Sequence, residues 1–318
     1  MLAFASVYAM GADIFVLDEP TANLDEEAIG LLAQLIKKCK ADGKTVIIAE
    51  HRLYFLTELI DRAIFLEKGR IVREFTGAEF SALAENERIS MGLRSLKRPE
   101  LSPQIEGVNR EFRGGLEVRG AQLSYGREKV FSGIDLNAGY GEIIGIIGRN
   151  GAGKSTLSRC LCGLIKESGG EILLDGVRLK DRTRRRQSFL VMQDVNHQLF
   201  SDSVANECHM SSEDVSDEKA DKALSLLDLS DFKDKHPMAL SGGQKQRLAV
   251  ATAILSGKKI LIFDEPSSGL DYRRMESVSE MIRKTASDDR IVIVVSHDYE
   301  LLNNICDRCF CVTGEKDN

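Results

Sequence analysis

An α/β fold with a parallel sheet at its centre is predicted by three observations. Short apolar runs at residues 14–17, 143–147 and 260–263 sit between turn signals and alternate with stretches of helical spacing, as strands covered on both faces do. The second of these runs leads into Gly148-Arg-Asn-Gly-Ala-Gly-Lys-Ser-Thr156 and a helix-compatible stretch, the strand–loop–helix context that a phosphate-binding loop requires. The chain also repeats itself. Leu17-Asp-Glu-Pro20 returns as Phe263-Asp-Glu-Pro266, and one constant offset places Leu24-Asp25 on Leu270-Asp271, His51 on His297 and Asp61-Arg62 on Asp307-Arg308 without a gap. Hydrophobic patterning cannot produce identities at polar positions, so this is a duplicated domain.

Residues 1–75 read as the C-terminal part of a first copy, 76–114 as a linker and 115–318 as a complete second copy. Met1 falls opposite Arg247, which makes the opening apolar segment the counterpart of the helix expected over 248–255. A signal peptide is the poorer reading, because the segment lacks a basic leader. After the strand at 14–17, Asp25 is the expected N-cap of a helix in which Ile29, Leu31, Leu32, Leu35 and Ile36 keep helical spacing up to Gly43. A buried strand is expected next at 45–49. From about 68 to 114 the alternation fades, and Pro99, Pro103 and Gly114-Gly115 mark a short helical tail and a linker. With no phosphate loop in the first copy, the expectation is a fragment of a longer protein. Its strands at 14–17 and 45–49 are then short of a neighbour and expose an apolar edge.

Composition sets wider bounds. Apolar residues make up 43% and charged residues 29% of 318 residues, enough for a proper core. A net charge of −6 argues against a general nucleic-acid partner. The run Arg182-Thr-Arg-Arg-Arg186 has no interleaved aromatics and reads as a solvated loop. Seven cysteines without a secretory framework point to a reducing compartment. Cys306, Cys309 and Cys311 fall where a buried strand is expected, and Cys160 and Cys162 on a helix facing the core, so both groups read as packing rather than metal ligands.

Three motifs carry chemistry. In the loop Gly148–Thr156, with Asn150, Gly151 and Gly153, backbone N–H groups close around phosphates and the helix N-terminus adds positive potential. Lys154 is placed to neutralise the β- and γ-phosphates and Ser155 to coordinate Mg²⁺. Asp264 and Glu265 end an apolar strand and recur as Asp18 and Glu19. Asp264 is placed to hold the magnesium shell and Glu265 to polarise the attacking water, a role worth roughly 10²–10⁴ in rate. Leu240-Ser-Gly-Gly-Gln244 precedes a helix and supplies a second anion-binding N-terminus.

In that order the motifs make the chain resemble an ABC-transporter ATPase across residues 115–312. The resemblance implies a P-loop NTPase fold, with a RecA-like parallel core, an antiparallel β subdomain and a helical subdomain, here in tandem with an incomplete first copy. It implies ATP and Mg²⁺ as cofactors and a head-to-tail pair of cassettes. In that pair Ser241, Gly242, Gly243 and Gln244 close over the γ-phosphate held by the opposing cassette. It assigns Gln193 to the link between metal and membrane partner, Ser267–Asp271 to the D-loop, His297 to the γ-phosphate and Tyr125 to stacking on adenine. Asp18, Glu19, Asp25 and His51 are the first-copy counterparts.

A narrower similarity lies in Gln193-Asp-Val-Asn-His-Gln-Leu-Phe200, which resembles the corresponding segment of energy-coupling-factor and cobalt-type importer ATPases. Fused cassettes, the first with Ala49-Glu-His-Arg52, also occur in that group. This implies a transmembrane coupling protein, a substrate-capture membrane protein and a vitamin or transition-metal cargo. The location implied is peripheral, on the cytoplasmic face of the membrane. The second cassette of the pair is the missing half of this repeat or another chain. Two rival classes remain at this stage. A tandem cassette acting on ribosomes would place a long charged arm between the copies, where this linker is modest and contains prolines. A non-hydrolytic regulatory module would fail a simple ATPase assay.

Overall fold

The computed structural model describes residues 2–22, 24–106, 108, 112–287 and 289–313. It divides into two compact units, Met1–Glu100 with Gly269–Arg273, and Leu101–Ser268 with Arg274–Asn318.

The first unit contains α1 (Leu2–Ala9), β1 (Ile14–Asp18), α2 (Glu26–Ala41), β2 (Thr45–Ala49), β3 (Arg62–Glu67), β4 (Arg70–Thr76), α3 (Gly77–Ser81) and α4 (Glu85–Ser90). Asp25 caps α2 as expected, its carboxylate accepting the Ala28 N–H at 2.9 Å. Gly43 ends the helical stretch with φ +72°, a conformation glycine adopts without strain. The buried stripe of α2 is Ile29, Leu32, Ile36 and Cys39, and Leu31 points to solvent instead. Leu32, Ile36 and Cys39 pack with Phe4, Phe15 and Leu56.

β1 and β2 pair in parallel from Ile14↔Thr45 to Asp18↔Ala49 and form a two-stranded sheet. The expectation of fully buried strands fails here. Val16 is 72% and Ile47 56% exposed, whereas their second-copy counterparts Ile262 and Ile293 are fully buried.

The linker expected over 76–114 also needs correction. Residues 62–76 form the antiparallel hairpin β3–β4. Beyond it Phe80, Leu83, Met91, Leu93 and Leu96 build a separate apolar cluster with Leu53 and Phe75. Residues 76–100 therefore fold with the first unit. The sequence hid this because the helices are five and six residues long, too short to show a helical period.

The second unit runs through β5 (Gln104–Ile105), β6 (Gly115–Tyr125), β7 (Glu128–Gly139), β8 (Ile143–Ile147), α5 (Lys154–Leu161), β9 (Gly169–Leu174), β10 (Val177–Arg178), α6 (Asp181–Gln187), β11 (Ser188–Val191), α7 (Val204–Met210), α8 (Asp217–Leu226), α9 (Gly242–Leu255), β12 (Ile260–Asp264), α10 (Tyr272–Thr285), β13 (Ile291–Val295), α11 (Tyr299–Ile305) and β14 (Arg308–Cys311). Six strands form a parallel sheet in the order β11-β12-β13-β8-β14-β5. A four-stranded antiparallel sheet, β10-β9-β6-β7, contributes to the same core. All residues of β8, β12 and β13 are buried, the condition that makes their sequences continuously apolar.

Cys160, Cys162 and Cys309 are buried, and burial pushes the Cys160 thiol up to about 11 and Cys162 up to about 12. The arginine run is helical rather than a loop. Arg184 on α6 is fully buried and pairs with Glu167 at 2.5 Å, so a charge-rich stretch conceals a core residue.

Candidate functional site

Parallel neighbours bring their C-terminal ends to one edge of the sheet, where the loops of α/β proteins bind ligands. β8 delivers the glycine-rich loop to that edge, β12 ends on Asp264 and continues to Glu265, and β13 leads to Ser296 and His297. Gln193 follows β11 on the same edge, and it is exposed. Sequence motifs far apart in the chain thus meet because of strand order.

The loop's glycines are needed for different reasons. Gly148 has φ +145°, and a Cβ there would lie 2.4 Å from the Val312 carbonyl oxygen. Gly151 and Gly153 have φ +83° and +99°, and Gly153 is the N-cap of α5. Asn150 and Gly151 are exposed, while Ser155 and Thr156 are half-buried. Lys154 is buried and its ammonium lies inside the loop, donating to the carbonyls of Gly148 and Arg149 at 2.8 Å each. The Ser155 hydroxyl bonds the Asp264 carboxylate. Burial raises the Asp264 pKa, against the opposing pull of Ser155, Lys154 and Arg159.

Glu265 sits at φ +52°, a left-handed conformation uncommon for a glutamate. Its N–H donates to Val295 O at 2.8 Å, which ties it to the end of β13. Its Oε1 lies 3.8 Å from His297 Nε2, and its Oε2 accepts the Ser296 hydroxyl at 2.9 Å. Ser296 lies outside the sequence motifs, and the repeat carries Glu50 at its position, so no sequence signal points to it.

The first copy reproduces this arrangement. Glu19 has φ +42°, donates to Ala49 O at 2.8 Å and lies 3.7 Å from His51 Nε2. Asp18 closes β1, as Asp264 closes β12.

The signature segment lies elsewhere in the second unit. Ser241 caps α9 in a reciprocal box with Gln244, whose side chain bonds back to the Ser241 N–H at 2.8 Å. The structure joins Ser241 and Gln244 to each other rather than to the phosphate loop. Gly242 at the first turn has open space where a Cβ would stand, so its backbone can be approached closely. Tyr125, 56% exposed, ends β6. Asp271 immediately precedes α10.

Comparison with known proteins agrees with this geometry. The family model described as ABC transporter matches residues 131–268, and an AAA-domain model matches residues 236–303. A relative from Treponema denticola described as an ABC transporter ATP-binding protein is 46% identical over 99% of this chain and 65% of its own length. A second from the same organism, with the same description, is 37% identical over 96% of this chain and 64% of its own length. The chain therefore spans just under two thirds of the length of these relatives. A solved structure described as cbiO1 from Clostridium perfringens, part of the ABC transporter complex cbiONQ, is 31% identical at a TM-score of 0.54, covering 63% of this chain and 85% of that one. Another, described as an ATP binding subunit of an ABC transporter, has a TM-score of 0.56 at 23% identity, covers 63% of this chain and 86% of that one, and supports the fold. With its phosphate loop, paired acids and histidine gathered on one sheet edge, the chain belongs to the ABC transporter ATP-binding family, and residues 131–268 carry that family's ATPase domain.

Proposed function

We propose that the second copy binds Mg-ATP and hydrolyses it to drive import across a membrane. The observation that carries this is the meeting of Lys154, Asp264, Glu265 and His297 at the ends of adjacent strands. Lys154 and the loop N–H groups hold the phosphates. The Ser155 hydroxyl and Asp264 carboxylate, in contact with each other, are the hard oxygen donors that Mg²⁺ selects. Bound there, the ion neutralises phosphate charge. Glu265 orients the attacking water and takes its proton, with His297 beside it. Tyr125 offers an exposed face to the adenine.

Ser241–Gln244 and Asp271 act across a head-to-tail pair of cassettes, closing over the nucleotide of the partner. The reading is tested with two variants. Glu265→Gln is expected to lower turnover at least ~100-fold while ATP still binds, and Lys154→Ala is expected to abolish binding. Wild-type turnover in the first, or wild-type affinity in the second, overturns the corresponding assignment.

The importer reading is of the energy-coupling-factor type and rests on the segment after β11. Gln198 pins that segment by accepting the Met192 N–H at 3.1 Å and donating to Leu190 O at 2.7 Å. Phe200 is left 73% exposed, an apolar contact for a transmembrane coupling protein at the cytoplasmic face. A substrate-capture membrane protein then selects a vitamin or metal-ion cargo. No helix among the described residues is long and apolar enough to cross a membrane. Co-purification with ribosomes rather than with a membrane complex would overturn this part of the reading.

The first copy takes a further strand, from the other part of its own repeat or from another chain. β8 lies between β13 and β14 in the second copy, whereas β2 and β3, their first-copy counterparts, belong to separate two-stranded sheets. An apolar strand like β8, carrying its own phosphate loop, fits between them and completes a second site around Asp18, Glu19, Asp25 and His51.

A further inference from the structure

Glu265 is held by more than its histidine. The fully buried Ser296 hydroxyl donates to Glu265 Oε2 at 2.9 Å, and Ser296 Oγ itself accepts the Asp298 N–H at 3.1 Å. A hydroxyl has one proton. With the backbone N–H directed at its lone pairs, that proton is aimed at the carboxylate.

Asp298 is itself fixed twice. Its Oδ2 accepts the Ser267 hydroxyl at 2.6 Å, and its Oδ1 caps α11 through the Leu301 N–H at 3.4 Å. Ser267, Asp298 and Ser296 are all buried. A continuous hydrogen-bonded chain thus runs Ser267–Asp298–Ser296–Glu265, starting three residues short of Leu270 and ending on the carboxylate that lies 3.8 Å from His297 Nε2.

The repeat supplies an internal control. Glu19 and His51 keep the backbone conformation and separation of Glu265 and His297. The supporting residues are exchanged, however. Glu50 stands opposite Ser296 and Arg52 opposite Asp298. The Glu50 carboxylate accepts backbone N–H groups of Thr21, His51 and Arg52. Thr21, opposite Ser267, is fully buried with a hydroxyl that finds no hydrogen-bond partner. An orphaned buried hydroxyl is costly, and here it marks where the chain of bonds has been lost. The same acid and histidine therefore occur once with this support and once without it.

We propose that Ser296 is a positioning residue for ATP hydrolysis, locking Glu265 in the orientation that meets the attacking water. Its replacement by Glu50 makes the two acids of the repeat unequal, with Glu265 the better oriented base. Fixing a reacting group in one productive orientation raises rate without altering substrate binding. The proposal rests on the reading of Glu265 as the base, and the test separates the two.

The experiment uses the full chain and measures steady-state ATP hydrolysis together with the affinity for a fluorescent ATP analogue in Mg²⁺. Ser296→Ala is expected to lower kcat roughly tenfold with KM and analogue affinity within about twofold of wild type. Ser296→Thr, which keeps the hydroxyl, is expected to recover most of the rate. Ser296→Glu, which copies the first-copy residue, falls at least as far as Ser296→Ala. Glu265→Gln serves as the reference for loss of the base. Wild-type kcat in Ser296→Ala beside a dead Glu265→Gln overturns the positioning role alone. Wild-type kcat in Glu265→Gln overturns the base assignment. Equal losses in the alanine and threonine variants, with KM raised in both, assign Ser296 to packing and likewise overturn the proposal.

Discussion

At the scale of single residues, the buried pair Arg184–Glu167 shows how charge is used inside the second unit. The Arg184 Nε and Nη1 atoms have no hydrogen-bond partner, so the guanidinium depends on Glu167. Burial alone would raise the Glu167 pKa, but the hydrogen bond and charge of Arg184 outweigh it and hold the carboxyl below its usual value. A depressed carboxylate contributes stability above its unfolded pKa and loses it as pH falls through the folded one. Glu167→Gln should therefore lower unfolding stability by about 3 kcal/mol at pH 7, the scale of a buried charge left unpaired. The gap between variant and wild type should narrow as the pH falls through the lowered Glu167 pKa, a comparison that denaturant titration across pH measures directly. A gap independent of pH would show that the loss is one of shape rather than charge.

At the scale of elements, corresponding apolar strands are buried in one copy and partly exposed in the other. β1 and β2 present Ile14, Val16 and Ile47 to solvent, where β12 and β13 bury every residue. Exposed apolar strand faces promote association. The double variant Val16→Thr, Ile47→Thr is expected to raise solubility severalfold and reduce light scattering, while nucleotide binding by the second copy stays unchanged. Unaltered scattering would locate the sticky surface elsewhere.

Much at this scale was legible in the sequence. The Asp25 cap, the Gly43 stop and the alignment of α1 with the end of α9 follow from residue types and the repeat. The hairpin β3–β4 and the cluster around Phe80 were not, because short elements lack a measurable period and their burial depends on neighbours distant in the chain.

For the whole molecule, the second unit has its own six-stranded sheet and a continuous core. Residues 101–318 expressed alone are thus expected to fold cooperatively and bind ATP with the affinity of the full chain. The signature is capped at the start of α9 rather than bonded to the loop, so hydrolysis should depend on pairing of cassettes. Specific activity should then rise with protein concentration until pairing saturates. A specific activity constant over a hundredfold dilution would contradict a composite site.

The sequence by itself determined the chemistry: the phosphate loop, the paired acids, the histidine and the repeat relating two copies of them. Those are local patterns whose residue types admit few other uses. Only the tertiary structure decided how each acid is supported. Strand order brings Ser296 beside Glu265, with Asp298 behind it, whereas in the first copy Glu50 and Arg52 hold those positions and bond backbone groups instead. A hydroxyl's aim and an orphaned threonine are properties of contacts across the sheet edge, which no linear motif records.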